Sequence, residues 1–174
     1  MKKVYDSCNI EVDIPSDWSV LNQQDVNKLG IANQPEVDLL DVFLKKDSNH
    51  AGIISFQNYG NADGFIEAMD SYMVSLAEKL NKAQANGEVW STISPVKPLE
   101  HRIVAIKDKK FYAIVFESAN NSNEYVVQIY FLCSKKTYCL CFNVDKSTST
   151  LDEILDKNIL AKDCIDLIMS AKKC

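Results

Sequence analysis

The stretch Tyr125–Val144, YVVQIYFLCSKKTYCLCFNV, constrains this chain more than any other. It reads as two strands joined at Ser134-Lys135-Lys136-Thr137. In the first strand Tyr125, Val127, Ile129, Phe131 and Cys133 share one face. Val126, Tyr130 and Leu132 share the other, which Gln128 interrupts. The return strand sets Tyr138, Leu140, Phe142 and Val144 against Cys139, Cys141 and Asn143. β-Branched and aromatic residues dominate both segments, which favours strand over helix. A strand that is apolar on both faces belongs in a sheet covered on both sides. The short polar connection makes the two strands antiparallel neighbours. The expected centre is an antiparallel sheet with a layer packed on each face.

The covering layers must come from the rest of the chain. The strongest helical pattern runs from about Ala62 to Asn86. Phe65, Ile66, Met69, Tyr72, Met73, Leu76 and Leu80 form its apolar stripe, Asn61 or Asp63 is placed to cap its start, and Gly87 ends it. A second helical region closes the sequence. Thr150-Leu151-Asp152-Glu153 has capping-box spacing. Leu151, Ile154 and Leu155 form one apolar face, and Ala161, Cys164, Ile165, Ile168 and Met169 another, with a break expected near Asn158 because Ile159 and Leu160 fall out of phase.

Before the long helix, Cys8, Ile10, Val12 and Ile14 alternate with polar residues, which predicts a half-exposed strand near an edge, stopped by Pro15. Val20–Gly30 reads as a short helix with Val26 and Leu29 inward. Val37–Lys45 and Gly52–Tyr59 read as strands around a turn at Lys46–His50. After the helix, Val89–Ser94, Glu100–Ile106 and Phe111–Ser118 read as strands, the last two joined by a hairpin at Lys107-Asp108-Lys109-Lys110. With the central hairpin this makes five strands between the helices. Runs of strands joined by short turns predict a single α+β domain over residues 1–174, an antiparallel sheet between helices, rather than a parallel doubly wound sheet.

This order resembles the PsbP-like superfamily. The resemblance rests on Ile10-Glu11-Val12-Asp13-Ile14-Pro15-Ser16-Asp17-Trp18, on the long helix after Asn61, and on the closing strand Tyr138–Val144 followed by a terminal helix. The superfamily is named for an extrinsic subunit of photosystem II. It also holds a nuclear-transport factor that binds the Ran GTPase and bacterial adaptor chaperones for type VI secretion effectors. The resemblance implies an antiparallel sheet between helices and a non-enzymatic binding or assembly role. It carries over no partner-binding residue, because no binding motif matches residue by residue.

Composition narrows the partner class. A net charge of −5 and a pI near 5.0 disfavour nucleic acid and anionic membrane surfaces, which are bound largely through cationic contacts. No apolar run approaches the ~20 residues of a membrane span. Met1-Lys2-Lys3 begins like a signal peptide, but Val4-Tyr5-Asp6-Ser7-Cys8 is too short and polar for an apolar core, so a cytoplasmic protein is expected. Six cysteines are present, mostly inside apolar patterns, where reduced, buried thiols are expected.

The chemical candidates are few. Cys139-Leu140-Cys141 puts two thiols on one strand face, which suits a soft metal or a redox pair, or simple core packing. His50 and His101 fall in no metal-binding or nucleophile-activating spacing. Asp41, between Leu40 and Val42, must be hydrogen-bonded or face an edge. Nucleotide-binding and hydrolase signatures are absent, and no cofactor is expected. Trp18, Tyr59, Trp90 and Tyr112 are either core residues or the lining of a groove. Lys107, Lys109, Lys110, Lys135 and Lys136 sit on hairpin turns, where they form one basic patch if the turns lie side by side. The leading expectation is a non-catalytic protein-binding or assembly module, with Trp18, Tyr59, Trp90, Lys109, Lys110, Lys135 and Lys136 as candidate surface. The alternatives are a small apolar-ligand carrier with a cleft between helix and sheet, and a thiol protein working through Cys139 and Cys141.

Overall fold

A computed structural model describes residues 1–29, 37–45, 52–61, 64–147, 150–155 and 161–174. In chain order these form β1 (Lys2–Tyr5), β2 (Ile10–Asp13), β3 (Trp18–Val20), α1 (Gln23–Lys28), β4 (Asp38–Lys45), β5 (Ile53–Asn61) and α2 (Phe65–Ala85). A 3-10 turn at Trp90–Thr92 follows. Then come β6 (Val96–Ile106), β7 (Lys109–Ser118), β8 (Glu124–Cys133), β9 (Lys136–Asp145), α3 (Leu151–Leu155), α4 (Ala161–Ser170) and β10 (Lys172–Lys173). The expected turn at Lys46–His50, the stop at Gly30, the cap at Asp63 and the break near Asn158 lie outside the described residues.

The expected central hairpin is β8–β9, and β9 is the middle strand of an antiparallel seven-stranded sheet in the order β3-β4-β5-β9-β8-β7-β6. Its connection is a two-residue turn, Ser134-Lys135, with both residues in the left-handed region at φ 52° and 65°. That geometry matches the twist of the flanking strands. The two faces sort as the alternation predicts. Val127, Ile129, Phe131, Tyr138, Leu140, Phe142 and Val144 enter the larger core, while Tyr130 and Cys139 enter a smaller core on the other side. Leu132 departs from the pattern: it lies beside the turn and is exposed.

The smaller core is roofed by α2, which packs over β6 and β7 and contributes Ile66 and Met73. Its buried residues Ile66, Met73, Leu76, Leu80 and Ala83, with the half-buried Met69 between the first two, recur at three to four positions, as a helix stripe must. Tyr72 was expected in this stripe but stands outside it, exposed on the flank. The helix begins after Gly64, whose φ of 77° suits a residue without Cβ, and ends where Gly87 turns left-handed at φ 81°.

The larger core has a composite roof. Ile154 of α3 and Cys164, Leu167 and Ile168 of α4 supply one part. The other is a small sheet of order β1-β2-β10, which inserts Tyr5, Ile10 and Val12, with Cys8 from the β1–β2 connection. The capping box forms as expected: the Thr150 amide donates to Glu153 Oε2 at 2.7 Å, and the Glu153 amide donates to Thr150 Oγ1 at 3.3 Å.

Several expectations require correction. β2 is the middle of the small sheet, not an edge, because β1 and the two-residue β10 flank it. Val89–Ser94 is no strand, so among the described residues four strands rather than five lie between α2 and α3. Thr92 Oγ1 donates to the Val89 carbonyl at 2.7 Å and the Ser94 amide to the Trp90 carbonyl at 3.1 Å, local bonds that compete with a ladder. Lys109 and Lys110 belong to β7 rather than to the turn. Leu29 is exposed because it caps α1 instead of packing inward. Asp41 follows a bulge between Leu39 and Asp41, and accepts hydrogen bonds from Lys3 Nζ at 2.5 Å and from the Tyr5 hydroxyl.

Leu76→Ala should lower the unfolding free energy by about 2–5 kcal/mol, the cost of a core cavity. Tyr72→Ala should change it by no more than ~0.5 kcal/mol, as at other exposed sites. Equal losses in urea titrations would contradict this placement of the stripe.

Candidate functional site

The two thiols of Cys139-Leu140-Cys141 share the face of β9 that looks towards α2. Cys139 is fully buried and Cys141 partly so. Burial pushes both thiols above their ordinary value, and for Cys139 the neighbouring thiol adds to the rise. A protonated thiol is a poor nucleophile and a poor metal ligand. Among the described residues, no base is hydrogen-bonded to either thiol. His101 is on β6, three strands from β9 in the sheet order, or ~14 Å at ordinary strand spacing. Its Nδ1 lies 3.1 Å from Asp70 Oδ1 on α2, where it ties the edge strand to its roof. His50 lies outside the described residues. Among the described residues no three metal-ligating side chains gather.

Between α2 and the β5 half of the sheet the floor is a polar strip. Alternation along β5 puts Ser55, Gln57 and Tyr59 on this face, and the register sets Ser55 opposite Cys141 and Cys141 opposite Gln128. The Tyr59 hydroxyl donates to Gln57 Oε1 at 3.3 Å, Gln57 Nε2 to Ser55 Oγ at 3.3 Å, and Ser55 Oγ to the Cys141 carbonyl at 3.3 Å. From the other side the Tyr130 hydroxyl donates to Gln128 Oε1 at 2.8 Å, and Gln128 Nε2 reaches Cys141 Sγ at 3.9 Å. Tyr59 meets Tyr130 edge to face at 5.3 Å and Phe65 at 5.7 Å. Burial pushes the Tyr59 phenol up to about 12 and raises Tyr130 further, so every group of the strip is uncharged at neutral pH. Gln128, which stood out only as an interruption in an apolar face, anchors one end of the strip. Nothing in its spacing named the partners on β5.

The four aromatic candidates do not converge. Trp18 is buried in the larger core, with its ring centroid 5.4 Å from that of Phe43 and its Nε1 without a partner. Tyr59 and the fully buried Tyr112 belong to the smaller core on the opposite face. Trp90 is half-buried in the 3-10 turn. Trp18 and Tyr112 are therefore packing residues and line no groove.

The hairpin lysines divide. The β6–β7 turn closes on the pair Ile106 and Lys109, and the β8–β9 turn on the pair Cys133 and Lys136. Phe111 of β7 pairs with Phe131 of β8, so the two turns emerge side by side at one end of the sheet. Lys109 is not part of their surface. Its Nζ donates to the carbonyls of Ile168, Met169 and Ala171 at 2.9, 3.0 and 2.5 Å, which caps the C-terminus of α4. Burial lowers its pKa. Lys110 reaches Glu67 Oε1 in the first turn of α2 at 2.5 Å and remains exposed. Lys107 and Lys135 stand in solvent, and Lys136 is half-exposed.

No family model matches the chain, and no curated protein matches it. Solved structures do. The solution structure of cyanobacterial PsbP (CyanoP) from Synechocystis sp. PCC 6803 superposes with a TM-score of 0.54 at 10% identity, covering 100% of this chain and 92% of that one. The chain has the PsbP-like fold. A Bacteroides thetaiotaomicron protein is more distant, with a TM-score of 0.39 at 8% identity over 99% of this chain and 48% of its own. Within the PsbP-like fold described here, the sheet between α2 and the α3–α4 layer is the common frame, and the polar strip and the lysine turns are side chains mounted on it. Among the described residues, no helix is long and apolar enough to cross a membrane.

Under native conditions a thiol reagent should label the exposed Cys174 first. Cys139, Cys141 and Cys164 should react about a hundredfold more slowly, because labelling there requires local opening. Rapid labelling of Cys139 or Cys141 without denaturant, read by peptide mass spectrometry, would contradict the packing role given to them.

Proposed function

We propose that this protein is a non-catalytic binding or assembly module whose partner is another protein. One observation carries the reading: the groups with chemical potential are committed to structure, while the exposed features are of the kind that bind. Cys139 and Cys164 are buried and Cys141 half-buried, all with raised thiol pKa values, that of Cys164 pushed up to about 12, and His101 is tied to Asp70. By contrast β6 is an eleven-residue edge strand bearing exposed Arg102 and Ile103, and the lysine turns stand beside it at one end of the sheet. The PsbP-like resemblance, which implies binding and assembly roles, supports the same reading. Six free cysteines suit a reducing compartment, which supports the cytoplasm as its place.

A second reading, a carrier of a small ligand, has its own observation in the half-buried strip from Tyr59 to Tyr130. Because the strip is uncharged, the ligand it suits is an uncharged molecule with hydrogen-bonding groups, not the purely apolar ligand expected from the sequence.

The two readings separate in one preparation. Affinity capture of the tagged full chain from its native lysate should retain a defined protein in near-stoichiometric amount, and Cys141→Ser should retain it equally. Native mass spectrometry showing a co-purified small molecule and no specific protein would favour the carrier and overturn the leading proposal.

A further inference from the structure

We propose that the end of the sheet where the β6–β7 and β8–β9 turns meet is the docking surface for an acidic segment of a partner protein. The inference rests on the protein-binding reading above and names the surface and the chemistry of what it binds.

Seven of the seventeen described lysines and arginines on this acidic chain are neutralised in place. Lys2, Lys3, Lys28, Lys45, Lys110, Lys146 and Lys172 each pair with a carboxylate. At the turn end the pattern changes. Among the described residues, Lys107, Lys135 and Lys136 make no ion pair and lie on neighbouring turns. Lys109 aside, the other cations without a carboxylate partner, Lys79, Lys82, Lys97, Arg102, Lys162 and Lys173, are spread over α2, β6, α4 and β10. Lys109 Nζ holds the Ala171 carbonyl at 2.5 Å, which brings the chain leaving α4 against the β6–β7 turn. Asp108, inside that turn, is the carboxylate set among them.

The backbone adds an independent observation. Lys107 and Lys135 occupy the left-handed region at φ 55° and 65°, a conformation unfavourable for any residue with a Cβ and usually given to glycine or asparagine. Both turns thus carry lysine where a turn alone would favour another residue. Such a local conflict is the kind that accompanies function. Beside them Leu132, 39% exposed and paired with Thr137 two residues from the tip, adds an apolar contact.

The size and setting of the patch select the partner. Three lysines bounded by a molecule of net charge −5 attract a short anionic segment that touches the patch alone. A long polyanion or a charged membrane would also meet the acidic remainder and be repelled by it. The fitting partner is a protein segment of aspartate and glutamate around an apolar residue, with lysines on the carboxylates and Leu132 against the apolar side chain.

The test uses fluorescence anisotropy of the full chain with a short labelled peptide of aspartate and glutamate around a single leucine. Binding should weaken steeply as salt rises. The triple variant K107E/K135E/K136E should lose ~tenfold or more in affinity, and the neutral variant K107Q/K135Q/K136Q an intermediate amount. The control K79E/K82E/K97E, with the same charge change elsewhere, should stay within about twofold. Circular dichroism of each variant reports whether it remains folded. Absent binding at low salt, an equal loss in the control, or tighter binding to duplex DNA or to phosphatidylserine vesicles would overturn the proposal. A lysate partner retained equally by the folded turn variant would overturn this docking surface and leave the protein-binding reading standing.

Discussion

Cover for both faces of the β8–β9 hairpin is the constraint on which the rest of the molecule depends. A strand pair carrying Phe131, Tyr138, Leu140 and Phe142 on one face and Tyr130 and Cys139 on the other cannot meet water on either. At roughly 25 cal/mol per Å² of apolar surface, each such aromatic contributes several kcal/mol only if something lies over it. The chain answers with α2 on one side and a composite roof on the other. The order of elements follows from delivering those roofs to opposite faces of one sheet.

The parts legible in the sequence are those governed by a repeat. Alternation gave the faces of β8 and β9, helical spacing gave the stripe of α2 apart from Tyr72, and one spacing, Thr150 to Glu153, gave a cap that forms. The parts that were not legible are governed by local competition or by distant contacts. Val89–Ser94 has strand-like residues, but Thr92 and Ser94 satisfy the backbone locally. The small sheet was missed because β10 is two residues long and β1 begins in a lysine pair that reads like a leader; neither carries a period. The polar strip shares this origin, since Ser55 and Cys141 are 86 residues apart and only the register joins them. Lys109 is the sharpest case. Its neighbours in sequence make it a turn lysine, yet its amine spans to three carbonyls about sixty residues later.

That capping bond also shapes the surface. By drawing Lys109 inward it fixes the end of α4 beside the lysine turns. The same end of the sheet is therefore both a structural joint and the place where unpaired positive charge collects. The thiols follow the opposite course. Burial that completes the smaller core keeps Cys139 and Cys141 protonated, so the composition that makes the sheet stable also removes its most reactive groups from chemistry.

Native-state hydrogen exchange, read amide by amide, measures the dependence of the fold on the central hairpin most directly. Paired amides of β8 and β9 should be the slowest to exchange and should open only with global unfolding, while those of β1 and β10 exchange through local opening. Amides of β8 and β9 that exchange as fast as those of β1 and β10 would contradict the central place given to this hairpin.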